Sequence, residues 1–254
     1  MTSHPANNKL YTIIMAAGKG TRMKDPGKAK VMYEVLGKPM IHYVLDVAFA
    51  VQSHRVLAVV GYQRDVVSAY IGRSHPKTEI VVQAEQLGTG HAIMQTQDVL
   101  SGHDGSVVIL SGDVPLLTAH TIQGLIDNHR ESQASATILS ARYDDPAGYG
   151  RIIRNPDGSV KKIVEHKDAT AEEKAVHEIN SGIYIFDCRK LFEALKTLRP
   201  NNIQKEYYLT DVFEYFWKQH WIVNALPAEH PDEIQGVNTV EQLEEVRKVL
   251  LSRL

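Results

Sequence analysis

The chain has 254 residues, of which 43% are apolar and 23% are charged, and its 28 lysines and arginines nearly balance 30 aspartates and glutamates. This composition excludes disordered and collagen-like proteins, and a net charge of −2 argues against nucleic-acid binding by bulk charge. The single cysteine excludes an internal disulfide framework, and no apolar run reaches the roughly 18 residues of a membrane helix. Because residues 1–9 also lack a signal peptide, we expect a cytoplasmic protein with no membrane or nucleic-acid partner.

Apolar strands alternate with amphipathic helices through the first half of the sequence. The predicted strands are Leu10–Met15, Val56–Val60, Glu79–Gln83 and Val107–Leu110, and helices are predicted over 38–51 and near 63–73, 90–100 and 118–131. Such an alternation is typical of a mostly parallel sheet covered by helices on both faces. We therefore predict an α/β fold with a Rossmann-like sheet.

The pattern changes after about residue 141. Short strand-like stretches joined by turn signals follow, at Arg151–Arg154, Val160–Val164 and Gly182–Asp187. They predict a small antiparallel β excursion over one end of the sheet. A helix around 209–219, a strand at Trp221–Ala225 and a final helix complete the chain. The final helix is predicted to start at Thr239, because Gln242 is placed for a capping box.

A glycine-rich loop, Met15–Met23, follows the first strand. Residues 18–30 carry five cations and one acid, a net charge of +4 that leaves −6 for the rest of the chain. The G-x-G-x-x-G dinucleotide pattern fails because Met23 stands at the third glycine, and the P-loop pattern has no register here. Small residues that expose backbone N–H groups, beside several cations, favour a phosphate site. A tight turn with solvated lysines is the alternative.

The loop sequence from Ala16 to Met23, followed by a lysine, resembles the signature of sugar-1-phosphate nucleotidyltransferases. Further motifs narrow the resemblance: Gln83–Ala92, Ser111–Leu116, Gly148–Arg151, Glu165–Thr170, Glu178–Gly182 and Gly236–Asn238. Together they resemble the N-terminal uridylyltransferase domain of the bacterial bifunctional enzymes that make UDP-N-acetylglucosamine, a cell wall precursor. This resemblance implies the nucleotide-diphospho-sugar transferase fold in a single domain, 1–254, with a nucleotide-binding part (9–141), a sugar-binding part (142–238) and a C-terminal helix (239–254).

The resemblance also implies a Mg²⁺-dependent reaction that joins UTP to N-acetylglucosamine 1-phosphate and releases pyrophosphate. By this resemblance the catalytic residues are Arg22 and Lys30, and the metal ligands are Asp113 and Asn238. The residues implied to bind the nucleotide are Ala16, Ala17, Gly18, Gly20, Gln83, Gln86, Gly88 and Thr89. Those implied to bind the sugar are Gly112, Gly150, Glu165 and Asn180. The position of Asp113 just after a predicted parallel strand suits this role, since ligands bind at that edge of such sheets. Taken alone, Asp113 is equally suited to forming a turn, and Asn238 to flanking a helix.

Three features depart from the family pattern. Ala29 stands where the family commonly has proline, the loop Lys24–Lys30 is one residue longer, and Ser111 replaces a larger residue, which is expected to loosen the sugar pocket. The chain also ends at Leu254 without hexapeptide repeats, so neither the acetyltransferase half nor its trimer is expected.

Two other functions fit the same sequence. One is a nucleotidyltransferase for another sugar 1-phosphate or a small alcohol phosphate. The other is a protein that binds nucleotide sugars without catalysis. The 12 histidines show no metal-ligand spacing, so no metal site is expected among them.

Overall fold

A computed structural model describes residues 9–20, 22–23 and 27–253. The strands are β1 (Leu10–Ala16), β2 (Glu34–Val35), β3 (Lys38–Pro39), β4 (Arg55–Val60), β5 (Glu79–Val82), β6 (Ser106–Ser111), β7 (Ala136–Arg142), β8 (Gly150–Arg154), β9 (Val160–Val164), β10 (Glu178–Asp187) and β11 (Val223–Pro227). The α-helices are α1 (Met40–Ala50), α2 (Arg64–Ser74), α3 (Thr89–Met94), α4 (Gln97–Leu100), α5 (Ala119–Glu131), α6 (Ala171–Lys174), α7 (Cys188–Leu195), α8 (Val212–Lys218) and α9 (Val240–Ser252). Short 3-10 helices span Lys30–Met32, Leu209–Asp211 and Pro231–Ile234. Of the helices described, none has the length and apolar character needed to cross a lipid bilayer.

The main sheet has the strand order β11-β7-β10-β6-β1-β4-β5. The pairs β1–β4, β1–β6, β4–β5 and β11–β7 are parallel, whereas β10 runs antiparallel to both of its neighbours. The predicted α/β fold with a mostly parallel sheet is therefore confirmed. Its parallel strands bring their following loops to one edge, where a ligand site forms in folds of this type.

Helices cover both faces of the sheet, as predicted. Ile14 and Ala16 of β1 point into a core formed with α1, α2 and α5. Tyr11 and Ile13 point to the opposite face, into a core formed with α3, α7 and α8. This alternation follows from the two-residue period of a strand, and it buries β1 on both sides.

The antiparallel excursion is smaller than the sequence predicts. Strands β8 and β9 pair with each other, and β8 also pairs with Ile179 and Asn180 of β10. The predicted strand Gly182–Asp187 belongs instead to the main sheet, since Tyr184 pairs with both β6 and β7. The reason is that Ile183, Tyr184, Ile185 and Phe186 are all buried, which requires cover on both faces.

The helix predicted near 90–100 is divided into α3 and α4. The break lies at Gln95 and Thr96, where the Thr96 hydroxyl donates to the Ile93 carbonyl at 2.7 Å. Such a local side-chain bond competes with the regular helical pattern. The prediction of a capping box at the final helix is confirmed, because Thr239 and Gln242 bond each other's backbone N–H groups.

Candidate active site

The carboxyl edge of the central strands brings together loops that are far apart in the sequence. The glycine-rich loop follows β1, and Asp113 follows its neighbour β6. The two strand ends are joined where the Gly112 N–H donates to the Met15 carbonyl at 2.9 Å. Next to them, the Tyr62 N–H donates to the Ala17 carbonyl at 3.1 Å and holds the loop against the end of β4. Backbone hydrogen bonds to both neighbouring segments therefore hold the start of the loop.

Two adjoining clefts lie at this edge, with volumes of about 310 Å³ and 360 Å³. We call them the base cleft and the sugar cleft, after the ligands that the sequence resemblance predicts for the residues lining them. Predicted site residues in the base cleft are Ala16, Ala17, Gly18, Lys30, Gln83, Gln86, Gly88, Thr89 and Asp113. Those in the sugar cleft are Arg22, Thr89, Asp113, Gly150, Glu165, Asn180 and Asn238. Asp113 lines both clefts, and so it lies at their boundary.

Two predicted site residues, Gly20 and Gly112, line neither cleft. Gly20 has a φ of +66°, and a Cβ added to it would come within 2.6 Å of the Lys30 Cβ, so it allows Lys30 to pack closely. Gly112 packs against the end of β1, where an added Cβ would meet the Met15 carbonyl at 3.1 Å. Both glycines shape the walls of the site.

Cationic and polar groups converge at the boundary of the clefts. Lys30 Nζ donates to Asp113 Oδ2 and, at 2.8 Å, to Asn238 Oδ1. Arg22 Nη2 donates to the same Asn238 oxygen at 2.8 Å. One ammonium group therefore joins the two predicted metal ligands, and the guanidinium of the other predicted catalytic residue lies beside it.

The donor set at this point fits a magnesium ion. Asp113 and Asn238 offer a carboxylate and an amide oxygen, which are hard ligands of the kind Mg²⁺ takes. Both oxygens are within hydrogen-bonding reach of one cation, Lys30 Nζ, so they already face a common point. Mg²⁺ commonly uses one or two protein carboxylates and completes its octahedron with phosphate and water oxygens. This pair is therefore sufficient for a substrate-bound ion.

The start of α9 positions Asn238. The Gln242 side-chain oxygen accepts from the N–H groups of both Asn238 and Thr239, at 2.7 Å and 3.2 Å. Asn238 Nδ2 donates to the Gly236 carbonyl at 3.3 Å, which directs Oδ1 toward Lys30. The neighbouring Val237 N–H donates to the Asp113 carbonyl at 2.9 Å. These hydrogen bonds hold the two predicted metal ligands, Asp113 and Asn238, in a fixed position relative to each other.

Gln63 fixes the segment that carries Lys30. Its side-chain oxygen accepts from the Ala29 N–H at 2.9 Å, and its amide nitrogen donates to the Gly27 carbonyl. Ala29 is fully buried with a φ of −60°, an angle that proline also adopts, but proline has no N–H to make this bond. Gln63 thus holds this segment through a hydrogen bond that a proline at position 29 could not make. The loop Lys24–Lys30, which the sequence predicts to be one residue longer than usual, includes residues 24–26, which lie outside the described residues.

Replacing Gln63 with leucine should lower kcat/KM of the predicted reaction roughly tenfold. The change leaves the buried Ala29 N–H without a partner, at a cost of about 1–3 kcal/mol, and loosens the segment before Lys30. Steady-state kinetics would measure it. Gln52→Leu is the matched control, since Gln52 is an exposed glutamine with a similar left-handed backbone. Equal kinetics for the two variants would contradict this role.

At the base end, Gln83 and Gly88 shape the turn that leads into α3. Gln83 is 3% exposed, and its amide nitrogen donates to the Gly88 carbonyl at 3.1 Å and lies 3.1 Å from His91 Nδ1. Gly88 has a φ of +110°, and a Cβ there would come within 2.6 Å of the Tyr207 carbonyl. Since its nitrogen is used within the chain, Gln83 would contact a base through its amide oxygen. Gln86 Nε2 donates to the Gln83 carbonyl at 3.1 Å and lines the same cleft.

At the sugar end, the three remaining predicted residues lie together. A Cβ on Gly150 would meet the Asn180 Cβ and Glu165 Oε2, both at 3.4 Å. Burial raises the pKa of Glu165, and Asp168 adds to the effect, while a hydrogen bond from the Thr210 hydroxyl opposes it. Asn180 Nδ2 donates to the Tyr184 hydroxyl at 2.8 Å. These groups can donate to and accept from sugar hydroxyls.

Several residues that line the clefts have no role predicted from the sequence. Tyr149 and Thr210 line the sugar cleft, and Glu206 lines the base cleft. Tyr149 stands inside the quoted motif Gly148–Arg151, which was a signal for it. Thr210 and Glu206 lie on the segment before α8, and only its packing against α3 brings them to the site.

Asp211, near Glu165, is a half-buried carboxylate, and the described residues show no cationic partner for it. Burial raises its pKa to about 6, with Glu214, Glu165 and Asp168 adding to the shift. The ordinary value near 4 applies when the chain is unfolded, so ionised Asp211 destabilises the fold as pH rises through about 6.

We expect Asp211→Asn to raise Tm at pH 8 by about 2–4 °C and to change it little at pH 4. The difference between the folded and unfolded pKa values of Asp211 sets how much its ionisation lowers the free energy of unfolding. We take about 1 kcal/mol for this loss, less than the whole difference would give, because the carboxylate is partly solvated. Thermal unfolding followed by circular dichroism at both pH values would measure the difference. The same change at Asp144, an exposed aspartate outside the helices and strands, should have no effect at either pH. An equal gain for Asp211→Asn at both pH values would contradict the assignment.

Comparison with known proteins finds a matching family and close relatives over nearly the whole chain. The nucleotidyl transferase family profile matches residues 11–230. The chain is 46% identical to the bifunctional protein GlmU of Geobacillus sp. (strain WCH70) over 246 residues, which cover 97% of this chain and 53% of that protein. It is also 46% identical to GlmU of Enterococcus faecalis (strain ATCC 700802 / V583) over 244 residues, 96% of this chain and 52% of that protein. The chain thus spans about half the length of these relatives.

A solved structure shares the fold at much lower sequence identity. The crystal structure of UDP-glucose pyrophosphorylase complexed with UDP-glucose aligns with a TM-score of 0.75 and 18% identity, covering 97% of this chain and 100% of that one. At this identity the likeness concerns the fold, which is the predicted nucleotide-diphospho-sugar transferase fold. From the family match and the relatives, the chain belongs to the nucleotidyl transferase family and corresponds to about half of GlmU.

Proposed function

We propose that the protein is a uridylyltransferase that forms UDP-N-acetylglucosamine and pyrophosphate from UTP and N-acetylglucosamine 1-phosphate. The observation that carries this proposal is the convergence of Lys30, Asp113 and Asn238 where the base cleft meets the sugar cleft. A nucleotide on one side and a sugar phosphate on the other would place their phosphates at this junction. A cytoplasmic setting belongs to the same proposal.

The reaction needs charge neutralisation more than a protein nucleophile. An oxygen of the sugar phosphate attacks the α-phosphorus of UTP in line, a new phosphorus–oxygen bond forms, and the bond to the pyrophosphate oxygen breaks. Arg22 and Lys30 bring two positive charges to this point, and the glycine-rich loop adds backbone N–H groups. Binding both substrates in adjoining clefts supplies proximity and orientation.

The metal fits beside these cations. When bound, Mg²⁺ neutralises phosphate charge and orients the phosphate oxygens. Asp113 and Asn238 would hold it. Lys30, which contacts both ligands in the absence of substrate, can then turn its ammonium group to the phosphates.

The polar groups that line the sugar cleft favour an N-acetylated sugar as the substrate. Glu165 and Asn180 supply a carboxyl and an amide at its floor, which can bind hydroxyl and acetamido groups. Gly150 leaves room between them. At the junction, Ser111 is a small residue that lines both clefts, and this favours a second candidate, a transferase that accepts other sugar 1-phosphates.

A panel of substrates distinguishes the candidates. Purified protein with Mg²⁺ and UTP would be given N-acetylglucosamine 1-phosphate, glucose 1-phosphate and galactose 1-phosphate, and then CTP, GTP or ATP in place of UTP, with pyrophosphate release measured. The proposal predicts the highest kcat/KM for UTP with N-acetylglucosamine 1-phosphate. A preference for another sugar supports the second candidate, and tight UDP-sugar binding with no release in any pair would identify a binding protein.

A further inference from the structure

Three potential metal ligands meet on α1 and α2, away from the two clefts. His42 and Asp46 lie one turn apart on α1, and His75 directly follows α2. One ligand atom from each lies within 4.8 Å of the others. No metal-ligand spacing is visible among the histidines in the sequence, because it is the packing of α2 that brings His75 to Asp46, 29 residues earlier in the chain, and to His42.

Both imidazole rings present the same nitrogen to the carboxylate. His75 Nε2 lies 3.0 Å from Asp46 Oδ1, and His42 Nε2 lies 3.5 Å from Asp46 Oδ2. The other nitrogens are held by hydroxyl groups: His42 Nδ1 lies 3.0 Å from the Tyr70 hydroxyl and His75 Nδ1 3.0 Å from the Ser74 hydroxyl. A ring that turns one nitrogen to the ion and bonds the other to an oxygen is the usual arrangement of a metal-bound histidine.

The hydrogen bonds of Ser74 orient the His75 ring. The Ser74 hydroxyl lies 3.0 Å from the Tyr70 carbonyl, to which it can donate. Its oxygen can then accept from His75 Nδ1. In that tautomer of the neutral ring, the lone pair of Nε2 faces Asp46 Oδ1 at 3.0 Å. A metal ion bound to both atoms would join them at this distance.

The surroundings suit a metal ion that binds nitrogen. His75 is stacked on Phe49 with 14° between the rings, and the side chains of His75 and His42 are 9% and 16% exposed. Burial lowers the pKa of His42, although Asp46 opposes the shift, so its ring is available as a neutral ligand at pH 7. Asp46, at 55% exposed, is open to solvent and gives an ion a route in.

We propose that His42, Asp46 and His75 form a transition-metal site, with Zn²⁺ as its natural ion. Two imidazoles and one carboxylate make a three-ligand set that zinc completes with water, and this set suits Mg²⁺ poorly. The bound ion joins α1 to the end of α2, so it stabilises the fold. This site is independent of the proposed uridylyl transfer.

Zinc binding to the untagged full chain tests the site. Titrations would contain millimolar Mg²⁺ to occupy the oxygen ligands of the active site, with Zn²⁺ followed by calorimetry and Co²⁺ by its visible spectrum. We expect one ion per chain, a Tm raised by roughly 5 °C at saturating Zn²⁺, and a tetrahedral or five-coordinate Co²⁺ spectrum. His75→Ala and Asp46→Ala should weaken binding about a hundredfold or more, and Tyr70→Phe about tenfold, because it removes only the hydroxyl behind His42.

His120→Ala is the matched control, since His120 is exposed on α5 and outside the cluster, and it should leave the affinity unchanged. Absence of zinc binding in the wild-type chain would overturn the proposal. Equal zinc affinity in the wild type and in His75→Ala would also overturn it.

Discussion

Replacing Asp113 with alanine should lower the rate of pyrophosphate release on the order of a thousandfold. Asp113 supplies the carboxylate that would hold the metal, and a catalytic metal provides several kcal/mol of transition-state stabilisation. The same change frees Lys30 from its closest partner in the site. The backbone bond from the Val237 N–H to the Asp113 carbonyl is kept, so the loop should remain in place. Initial rates at saturating UTP and sugar phosphate would measure the loss.

Two further variants serve as controls for the Asp113→Ala experiment. Asp113→Asn keeps an oxygen ligand without the charge and should lose less activity than Asp113→Ala, with part of the rate recovered at high Mg²⁺ concentration. Asp65→Asn removes a carboxylate that is 97% exposed on α2 and should leave the rate unchanged. If Asp113→Ala retained wild-type turnover, Asp113 would not be a metal ligand of this reaction.

The second large effect is expected at Lys30. Lys30→Ala should reduce kcat about a hundredfold, because a preorganised charge beside the reacting phosphates is worth on the order of 3 kcal/mol. Its side chain is 14% exposed and lies against Asp113 and Asn238, so its ammonium group has only to turn from these two residues to reach the phosphates. A loss mainly in kcat would indicate that the charge acts in the transition state, and a loss mainly in KM would indicate ground-state binding.

Lys28→Ala is the matched control for that experiment. Lys28 belongs to the same cationic segment, but its ammonium group lies over the Tyr33 ring, 5.3 Å from the centroid, and lines neither cleft. We expect its replacement to change the rate less than about threefold, since the contact described for its ammonium group is a weak cation–π contact. Equal losses for the two variants would mean that the general charge of the segment acts, and not the position of Lys30.

Much of the fold could be predicted because the pattern of apolar residues in the sequence agrees with the burial of these residues in the structure. Strand β1 is apolar at almost every position, as a strand buried on both faces must be, and the glycine-rich loop follows it directly. The capping residues Thr239 and Gln242 gave the start of α9. Most of the predicted site residues line the two clefts, because their motifs stand at strand ends that share one edge of the sheet.

The features that could not be predicted depend on contacts between distant segments. Whether β10 joins the excursion or the main sheet is decided by the burial of Ile183 and Phe186 on both of its faces. Nothing local links Ala29 to Gln63, although a hydrogen bond joins them in the fold. His75 likewise meets His42 only through helix packing.

The most direct test of the central claim is the release of pyrophosphate by the purified protein from UTP and N-acetylglucosamine 1-phosphate, with Mg²⁺ and with the metal removed by EDTA. Our account predicts steady release with formation of UDP-N-acetylglucosamine in Mg²⁺, its loss in EDTA, and its return when Mg²⁺ is restored. No release in Mg²⁺ from a folded protein that binds both substrates, or an equal rate in EDTA, would contradict it.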